Sequence, residues 1–162
     1  MDLQRHRPVS SPRTLALVSA VLTGLLTGAM ILIDVVLVPF WRTASPAEFR
    51  QWFTAHSDRI RSLMIPLGAA AGVLSSASAV AGTAGDRRNS GASVAAAAAT
   101  AGVVAITVTV NEPLNHRLID GALSDVETAD LLRRWQSWHR LRVVLGAVGA
   151  VAAASALSRR GA

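Results

Sequence analysis

The sequence predicts an all-α fold: a four-helix transmembrane bundle with a short amphipathic interfacial helix in the first loop. Three observations lead to this prediction. Apolar residues make up 51% of the 162 residues, and charged residues make up only 16%. Four apolar runs approach the roughly 20 residues that a helix needs to cross a bilayer. Polar segments with capping and turn residues separate these runs, so we expect one domain of membrane-spanning helices.

The charge and the cysteine content exclude several classes of protein and site. The net charge is +6, and in a soluble protein such a basic balance would indicate a nucleic-acid partner. Here the charges lie between apolar runs and aromatic residues make up only 4% of the chain. We therefore expect the lipid bilayer as the partner and no nucleic acid. The absence of cysteine excludes a disulfide, an iron–sulfur cluster and a thiol nucleophile within the chain.

The predicted spans lie in a single membrane domain, residues 14–158, between a flexible N-terminal tail and a C-terminal tail. The spans cover residues 15–38, 63–81, 91–110 and 141–157, and the tails cover residues 1–13 and 159–162. An even number of spans places both termini on one side of the membrane. Arginines are denser in the tails and the middle loop than in the other two loops, which favours cytoplasmic termini in a bacterial cytoplasmic membrane.

The first apolar run has the features of a retained helix. It is longer than the apolar region of a signal peptide, contains Asp34 and lacks a clear small-residue cleavage site. Pairs of glycines four residues apart occur in the first two runs, at Gly24 and Gly28 and at Gly68 and Gly72. This spacing lets helix backbones approach closely within a membrane. We therefore expect a tight bundle.

The loops carry helix and turn signals of their own. In the first loop, Ser45-Pro46-Ala47-Glu48 offers a capping serine, a proline at the first helical position and a glutamate three residues after the cap. The aromatic residues that follow at helical spacing predict the interfacial helix, which can continue into the second span; they are Phe49, Trp52 and Phe53. The polar turn at 85–90 makes the second and third spans antiparallel neighbours. In the third loop, Ser124 or Thr128 can cap the helix that leads into the fourth span.

A first polar motif follows the third apolar run directly, as Asn111-Glu112-Pro113-Leu114-Asn115. Proline disfavours helical geometry at the residue before it and lacks a backbone donor, so the helix is expected to end or kink here. Asn111 and Asn115 have two interpretations. They either satisfy the free backbone groups of helix ends or orient a ligand by hydrogen bonds.

A second motif leads into the fourth run and consists of Trp135, Trp138, His139 and Arg142. The spacing i, i+3, i+4, i+7 places all four on one helix face. The tryptophans are either ordinary residues of the membrane interface or the walls of an aromatic site. His139 is either a structural histidine or a group that exchanges protons. Arg142 either reaches the lipid phosphates, pairs with a carboxylate, or stabilises an oxyanion.

Two further sets of titratable residues are candidates for a catalytic or metal-binding role. Asp34 lies within the first span, where a carboxylate is a functional candidate by default. It can pair with Arg142, Arg61 or His139, or be solvated at the interface. A metal or haem site would need several of the histidines in or near the two long loops, His56, His116 and His139. No pair of them has helical ligand spacing, so we expect neither a metal nor a cofactor.

With these two motifs the chain resembles the DUF1772 family of anthrone oxygenase-like small membrane proteins. The family pattern N-x-P-[LI]-N-x-x-[LI] after the third span is matched by Asn111, Pro113, Leu114, Asn115 and Leu118. The family pattern W-N-x-W-H-x-x-R entering the fourth span is matched by Trp135, Trp138, His139 and Arg142. Gln136 stands where asparagine is usual, which keeps an amide at that position.

The resemblance implies oxidation of an apolar aromatic substrate, such as an anthrone or a related phenolic polyketide, by O₂ without a cofactor. In that reaction His139 would be the base, and Arg142 with the Asn111 and Asn115 amides would stabilise the oxyanion. The Trp135 and Trp138 rings would stack on the substrate, and Asp34 is a further catalytic candidate. The alternative is a non-catalytic membrane scaffold or a carrier of a hydrophobic ligand.

Overall fold

The structure, a computed structural model, describes residues 12–85 and 90–159. These residues form α-helices joined by short loops and two π-helical segments, which confirms the all-α prediction. The helices are α1 (Pro12–Leu32), α2 (Val38–Thr43), α3 (Pro46–Gly85), α4 (Gly91–Ile106), α5 (Glu112–Asp120) and α6 (Asp125–Arg159). Most of the two predicted tails lies outside the described residues, as do residues 86–89 of the predicted turn.

Four continuous helical stretches of the described chain are long and apolar enough to cross a membrane. They are Pro12–Thr43, Pro46–Gly85, Gly91–Asp120 and Asp125–Arg159, so the chain is built as an integral membrane protein. The predicted amphipathic helix is the N-terminal part of α3. It continues into the second span without a break because residues 54–62 contain neither glycine nor proline.

Two π-helical segments lie within the first and third of these stretches. Ile33–Leu37 joins α1 to α2, and Thr107–Asn111 joins α4 to α5. At the point where the sequence predicts an end or kink, the chain therefore passes through a widened turn. Pro113 follows as the second residue of α5, where it has no N–H to donate to the preceding turn of the continuous helical stretch. Such widened turns are frequent at functional sites, and both segments contact α6.

Reciprocal capping boxes begin the two longest helices. At α3 the Ser45 N–H donates to Glu48 Oε2 at 2.8 Å, and the Glu48 N–H donates to Ser45 Oγ at 3.3 Å. At α6 the same pair of bonds joins Ser124 and Glu127, at 2.9 and 3.3 Å. The structure thus selects Ser124 as the cap of α6. Each cap stabilises its helix by about 1 kcal/mol.

Among the glycines of the described spans, Gly146 of α6 has the tightest surroundings, and they belong to α1. A Cβ atom added there would lie 2.6 Å from Met30 Cε and 2.9 Å from Thr27 Oγ1. The paired glycines that predicted close packing contribute little to it. An added Cβ would meet no atom within 4 Å at Gly24, Gly28 or Gly68, and at Gly72 it would make only an ordinary contact. The tight contact therefore comes from a glycine of α6.

An aromatic cluster fixes the end of the bundle at which the two long loops lie. Trp41 of α2 is only 2% exposed, and its ring centroid lies 5.5–5.7 Å from those of four other aromatic residues. These are Phe49, Trp52 and Phe53 of α3 and Trp135 of α6. Aromatic pairs at this distance add about 0.5–1.5 kcal/mol each beyond the burial of their area. The cluster therefore holds α2, the amphipathic part of α3 and α6 in fixed positions around the second motif.

Candidate functional site

The second motif points into the bundle with three of its four side chains. Trp135, His139 and Arg142 are buried, at 5%, 0% and 7% exposure, whereas Trp138 is only half-buried. Trp138 makes no hydrogen bond or ring contact with any described residue. The shared face predicted from the spacing is thus centred on positions 135, 139 and 142, and Trp138 lies at its edge.

Both ring nitrogens of His139 are engaged. Nε2 lies 3.0 Å from the Met30 carbonyl oxygen, and Nδ1 lies 2.8 Å from Arg142 Nη2. A carbonyl only accepts and a guanidinium only donates, so Nε2 carries the hydrogen and Nδ1 accepts. The imidazole also stacks on the Trp135 ring, with centroids 4.7 Å apart and planes inclined by 15°. His139 is therefore neutral in this arrangement and connects α1 to the guanidinium of α6.

Arg142 is a buried cation that forms no ion pair among the described residues, although the Glu112 carboxylate lines the same cavity. Its Nη1 donates to Thr107 Oγ1 at 2.9 Å and its Nη2 donates to His139. Among the described residues, no ion pair involves Arg142, and its Nε has no hydrogen-bond partner. A buried charge without a carboxylate in direct contact is costly unless the charge is used. The site is therefore suited to a negatively charged group on a ligand.

The first motif meets the second through a chain of hydrogen bonds. Asn111 Nδ2 donates to the Trp135 carbonyl at 3.4 Å, and the Trp135 indole N–H donates to Asn115 Oδ1 at 2.8 Å. Asn115 Nδ2 in turn donates to Glu112 Oε1 at 2.8 Å. The other carboxylate oxygen of Glu112 lies 3.0 Å from Arg61 Nε. The two motifs thus form one network, and Asn115 acts in it as a bridge.

A cavity of about 230 Å³ lies between α1, α3, α4 and α6. Apolar side chains form its walls, and its polar groups are those of Thr107, Glu112 and Arg142. Ile65 of α3 and Val108 of the second π-helical segment also line it, and these side chains are 49% and 62% exposed. In a membrane-spanning bundle exposed apolar side chains at this depth face lipid. The cavity therefore opens sideways between α3 and the third span, toward the bilayer.

The sequence model of the anthrone oxygenase family matches residues 49–152, which is more than half of the chain. The chain belongs to the anthrone oxygenase family. The resemblance inferred from the two motifs is thereby confirmed. The matched region of this anthrone oxygenase family member contains both motifs, Arg61 and Thr107. No curated protein and no solved structure shows significant similarity to the chain.

Asp34 lies apart from the network. Its Oδ1 is 3.7 Å from Arg140 Nε, and both residues line a separate surface pocket with Arg42. The structure forms none of the three pairings considered from the sequence, with Arg142, Arg61 or His139. Arg140 and Arg142 are two positions apart and so point to nearly opposite sides of α6. The catalytic role of Asp34 stays a prediction.

The three histidines considered for a metal or haem site contact different neighbours. His56 stacks on Trp52, with ring centroids 4.5 Å apart, and its Nδ1 lies 2.7 Å from the Trp52 carbonyl. His116 lies 3.9 Å from an Asp120 carboxylate oxygen on the exposed side of α5. In the part of the chain that the structure describes, no three metal-ligating side chains come together.

Two site residues were not identified as such from the sequence. Thr107 precedes Asn111 by four residues, which is the spacing of one helix face, and that spacing was the available signal. Glu112 lies inside the first motif, but it was considered only as the residue before a proline. The Met30 carbonyl carries no sequence signal, because every residue has one.

Proposed function

We propose that this protein is a membrane oxygenase that oxidises an apolar aromatic substrate of the anthrone type with O₂. One observation carries the proposal: an apolar cavity bordered by exposed apolar side chains of two spans has at its polar end the buried guanidinium of Arg142, which forms no ion pair with any described carboxylate. Membership in the anthrone oxygenase family supports the same conclusion.

The chemistry of the substrate explains why an apolar cavity with a cation at its polar end would suit this reaction. Removal of a proton from the methylene carbon of an anthrone leaves an anion whose charge is delocalised onto the carbonyl oxygen. Arg142 would donate hydrogen bonds to that oxygen, where a cation in a water-poor site stabilises charge strongly. The carbanion then reacts with O₂. One oxygen atom stays on the carbon as the new quinone carbonyl, and the other leaves as water with the two methylene hydrogens.

The size and the opening of the cavity fit a flat apolar ring system. Its volume of about 230 Å³ is just below the roughly 300–1,000 Å³ of common small-molecule sites. A tricyclic substrate would therefore place its central ring, which carries both the carbonyl and the methylene carbon, near Arg142 and leave an outer ring between α3 and the third span, in contact with lipid. Such a substrate would reach the cavity from the bilayer, in which it dissolves.

The geometry supports the predicted roles of the remaining motif residues to different extents. Asn111 has a buried Oδ1 without a partner in the described chain, but its side chain does not line the cavity, so its role toward the substrate stays a prediction. Asn115 uses both of its amide atoms within the network. Stacking of Trp135 or Trp138 on the substrate stays a prediction. The role of base predicted for His139 is also untested, and Glu112 is the alternative proton acceptor because it lines the cavity. Cytoplasmic termini in a bacterial membrane also stay a proposal.

The test uses the purified protein in lipid nanodiscs with anthrone and O₂. We expect oxygen uptake and formation of anthraquinone, followed by its absorbance. Arg142→Gln should lower kcat by about 10²–10³-fold, as removal of an oxyanion donor does. Arg134→Gln is the matched control, because Arg134 lies on the same helix with an exposed side chain. Binding of anthrone without turnover would refute the proposal and favour the carrier alternative.

A further inference from the structure

Two titratable side chains of the described chain line the cavity, Glu112 and Arg142. Arg142 can donate hydrogen bonds but cannot take up a proton in its charged form. His139 is fully buried behind Arg142 and is not part of the cavity wall. A substrate in the cavity therefore meets one group able to accept a proton, and that group is the Glu112 carboxylate.

The contacts of the two candidate bases, Glu112 and His139, also favour Glu112 as the proton acceptor. The neutral His139 ring has one lone pair, on Nδ1, and this lone pair accepts from Arg142. A carboxylate has two oxygens with about four acceptor positions. Glu112 accepts a hydrogen bond from Asn115 Nδ2 with one oxygen, and its other oxygen forms an ion pair with Arg61 Nε. Each oxygen thus retains acceptor capacity, whereas His139 would have to break its bond to Arg142 first.

The backbone places the Glu112 carboxylate and the Arg142 guanidinium at the same end of the cavity. Glu112 is the first residue of α5 and directly follows the π-helical segment Thr107–Asn111. The first residue of that segment, Thr107, accepts a hydrogen bond from Arg142. One widened turn therefore positions the carboxylate and, through Thr107, the guanidinium. A substrate with an acidic C–H group and a carbonyl in one molecule needs such a pair.

We infer that Glu112 takes the proton from the methylene carbon of the substrate, an inference that rests on the proposed function. The C–H bond breaks, an O–H bond forms on Glu112, and the electron pair stays on the substrate, delocalised onto the oxygen that faces Arg142. After O₂ adds to the carbanion, Glu112 returns the proton to the peroxide anion, and loss of water gives the quinone. His139 is then a positioning residue, which accepts from Arg142 and is itself held by its hydrogen bond to the Met30 carbonyl.

The experiment measures proton removal separately from oxidation. Protein in nanodiscs is incubated with anthrone in D₂O without O₂, and deuterium entry at the methylene carbon is followed by mass spectrometry. We expect the native protein to accelerate exchange and Glu112→Gln to lose about 10²-fold or more of that acceleration, the usual contribution of a positioned base. Glu112→Asp should keep part of it. Asp120→Asn, on the exposed side of α5, is the matched control and should keep all of it.

Two further variants separate a base from a structural residue. Arg61→Gln breaks the same ion pair as Glu112→Gln but keeps the carboxylate, so it should retain exchange within about tenfold; an equal loss in both variants would overturn the inference. His139→Gln should change anaerobic exchange less than Glu112→Gln. The reverse order would assign the base to His139 and also overturn the inference.

The controls distinguish failure of the inference from failure of the proposed function. A native protein that neither exchanges the methylene protons nor consumes O₂ would overturn the proposed function and the inference with it. A native protein that oxidises anthrone while Glu112→Gln exchanges and oxidises at the native rate would overturn the inference alone. Helix content and unfolding midpoints of all variants identify a loss that comes from misfolding, and for such a variant Glu112→Asp carries the comparison.

Discussion

Replacement of Gly146 by alanine places a methyl group in the contact between α6 and α1. The added Cβ would lie 2.6 Å from Met30 Cε and 2.9 Å from Thr27 Oγ1, both shorter than van der Waals contact. Met30 Cε is the end of a flexible side chain and can shift at little cost, but Thr27 Oγ1 is held by its hydrogen bond to the Thr23 carbonyl. Extra volume against such a held atom in a packed interior costs about 1–3 kcal/mol of stability. Alanine also has a higher helix propensity than glycine, by about 1 kcal/mol, and this gain works in the opposite direction.

Gly28→Ala provides the matched control that removes the propensity contribution. It makes the same substitution within a span, at a position where the added Cβ meets no atom within 4 Å. We therefore expect Gly146→Ala to be less stable than Gly28→Ala by about 1–3 kcal/mol. The measurement is the free energy of unfolding in mixed micelles with increasing SDS. Equal stability of the two variants would refute the close approach of α1 and α6 at Gly146.

The same pair of variants connects packing to the site. The hydrogen bond from His139 Nε2 to the Met30 carbonyl spans the same two helices. If Gly146→Ala pushes α1 away, this bond lengthens and the orientation of Arg142 is lost. We expect anthrone oxidation to fall in Gly146→Ala and to persist in Gly28→Ala. A fully active Gly146→Ala protein would show that the distance between α1 and α6 does not control the site.

Two further substitutions test the network and its boundary. Trp135→Phe removes the indole N–H that donates to Asn115 but keeps an aromatic ring, so we expect a loss of about 0.5–1.5 kcal/mol in the same unfolding assay. Unchanged stability would contradict the bridging role of Asn115. Asp34→Asn removes a partly exposed ion pair outside the cavity, so stability should fall by no more than about 1 kcal/mol and anthrone oxidation should be unchanged. A large loss of rate in Asp34→Asn would instead support the catalytic role predicted for this residue.

The local features of the fold were predictable because they depend on neighbouring residues along the chain. The apolar runs predicted four spans, and the four helices have the length and composition for them. The pair of Ser45 and Glu48 predicted one helix start, and Ser124 was one of two candidate caps for another; both serines form capping boxes. The widened turn before Pro113 was predicted only as an end or kink, because a proline signals a disturbed helix without specifying how the backbone accommodates it.

The sequence predicted which residues form the candidate site but not which residues they contact. Helical spacing placed Trp135, His139 and Arg142 on one face, and the structure buries all three together. Spacing does not specify the rotation of that face against α1 and α4. That rotation is what gives His139 the Met30 carbonyl as its partner and gives Arg142 the Thr107 hydroxyl.

By itself, the sequence determined the all-α class, the four apolar spans, and two polar motifs that belong to the anthrone oxygenase family. These follow from hydropathy and helical periodicity, which are properties of consecutive residues. Only the tertiary structure decided that Glu112 and Arg142 share one cavity while Asp34 turns to Arg140. Such pairings join residues from different helices, and they depend on how closely the helices approach, as at Gly146. That approach is set by side-chain packing across the bundle.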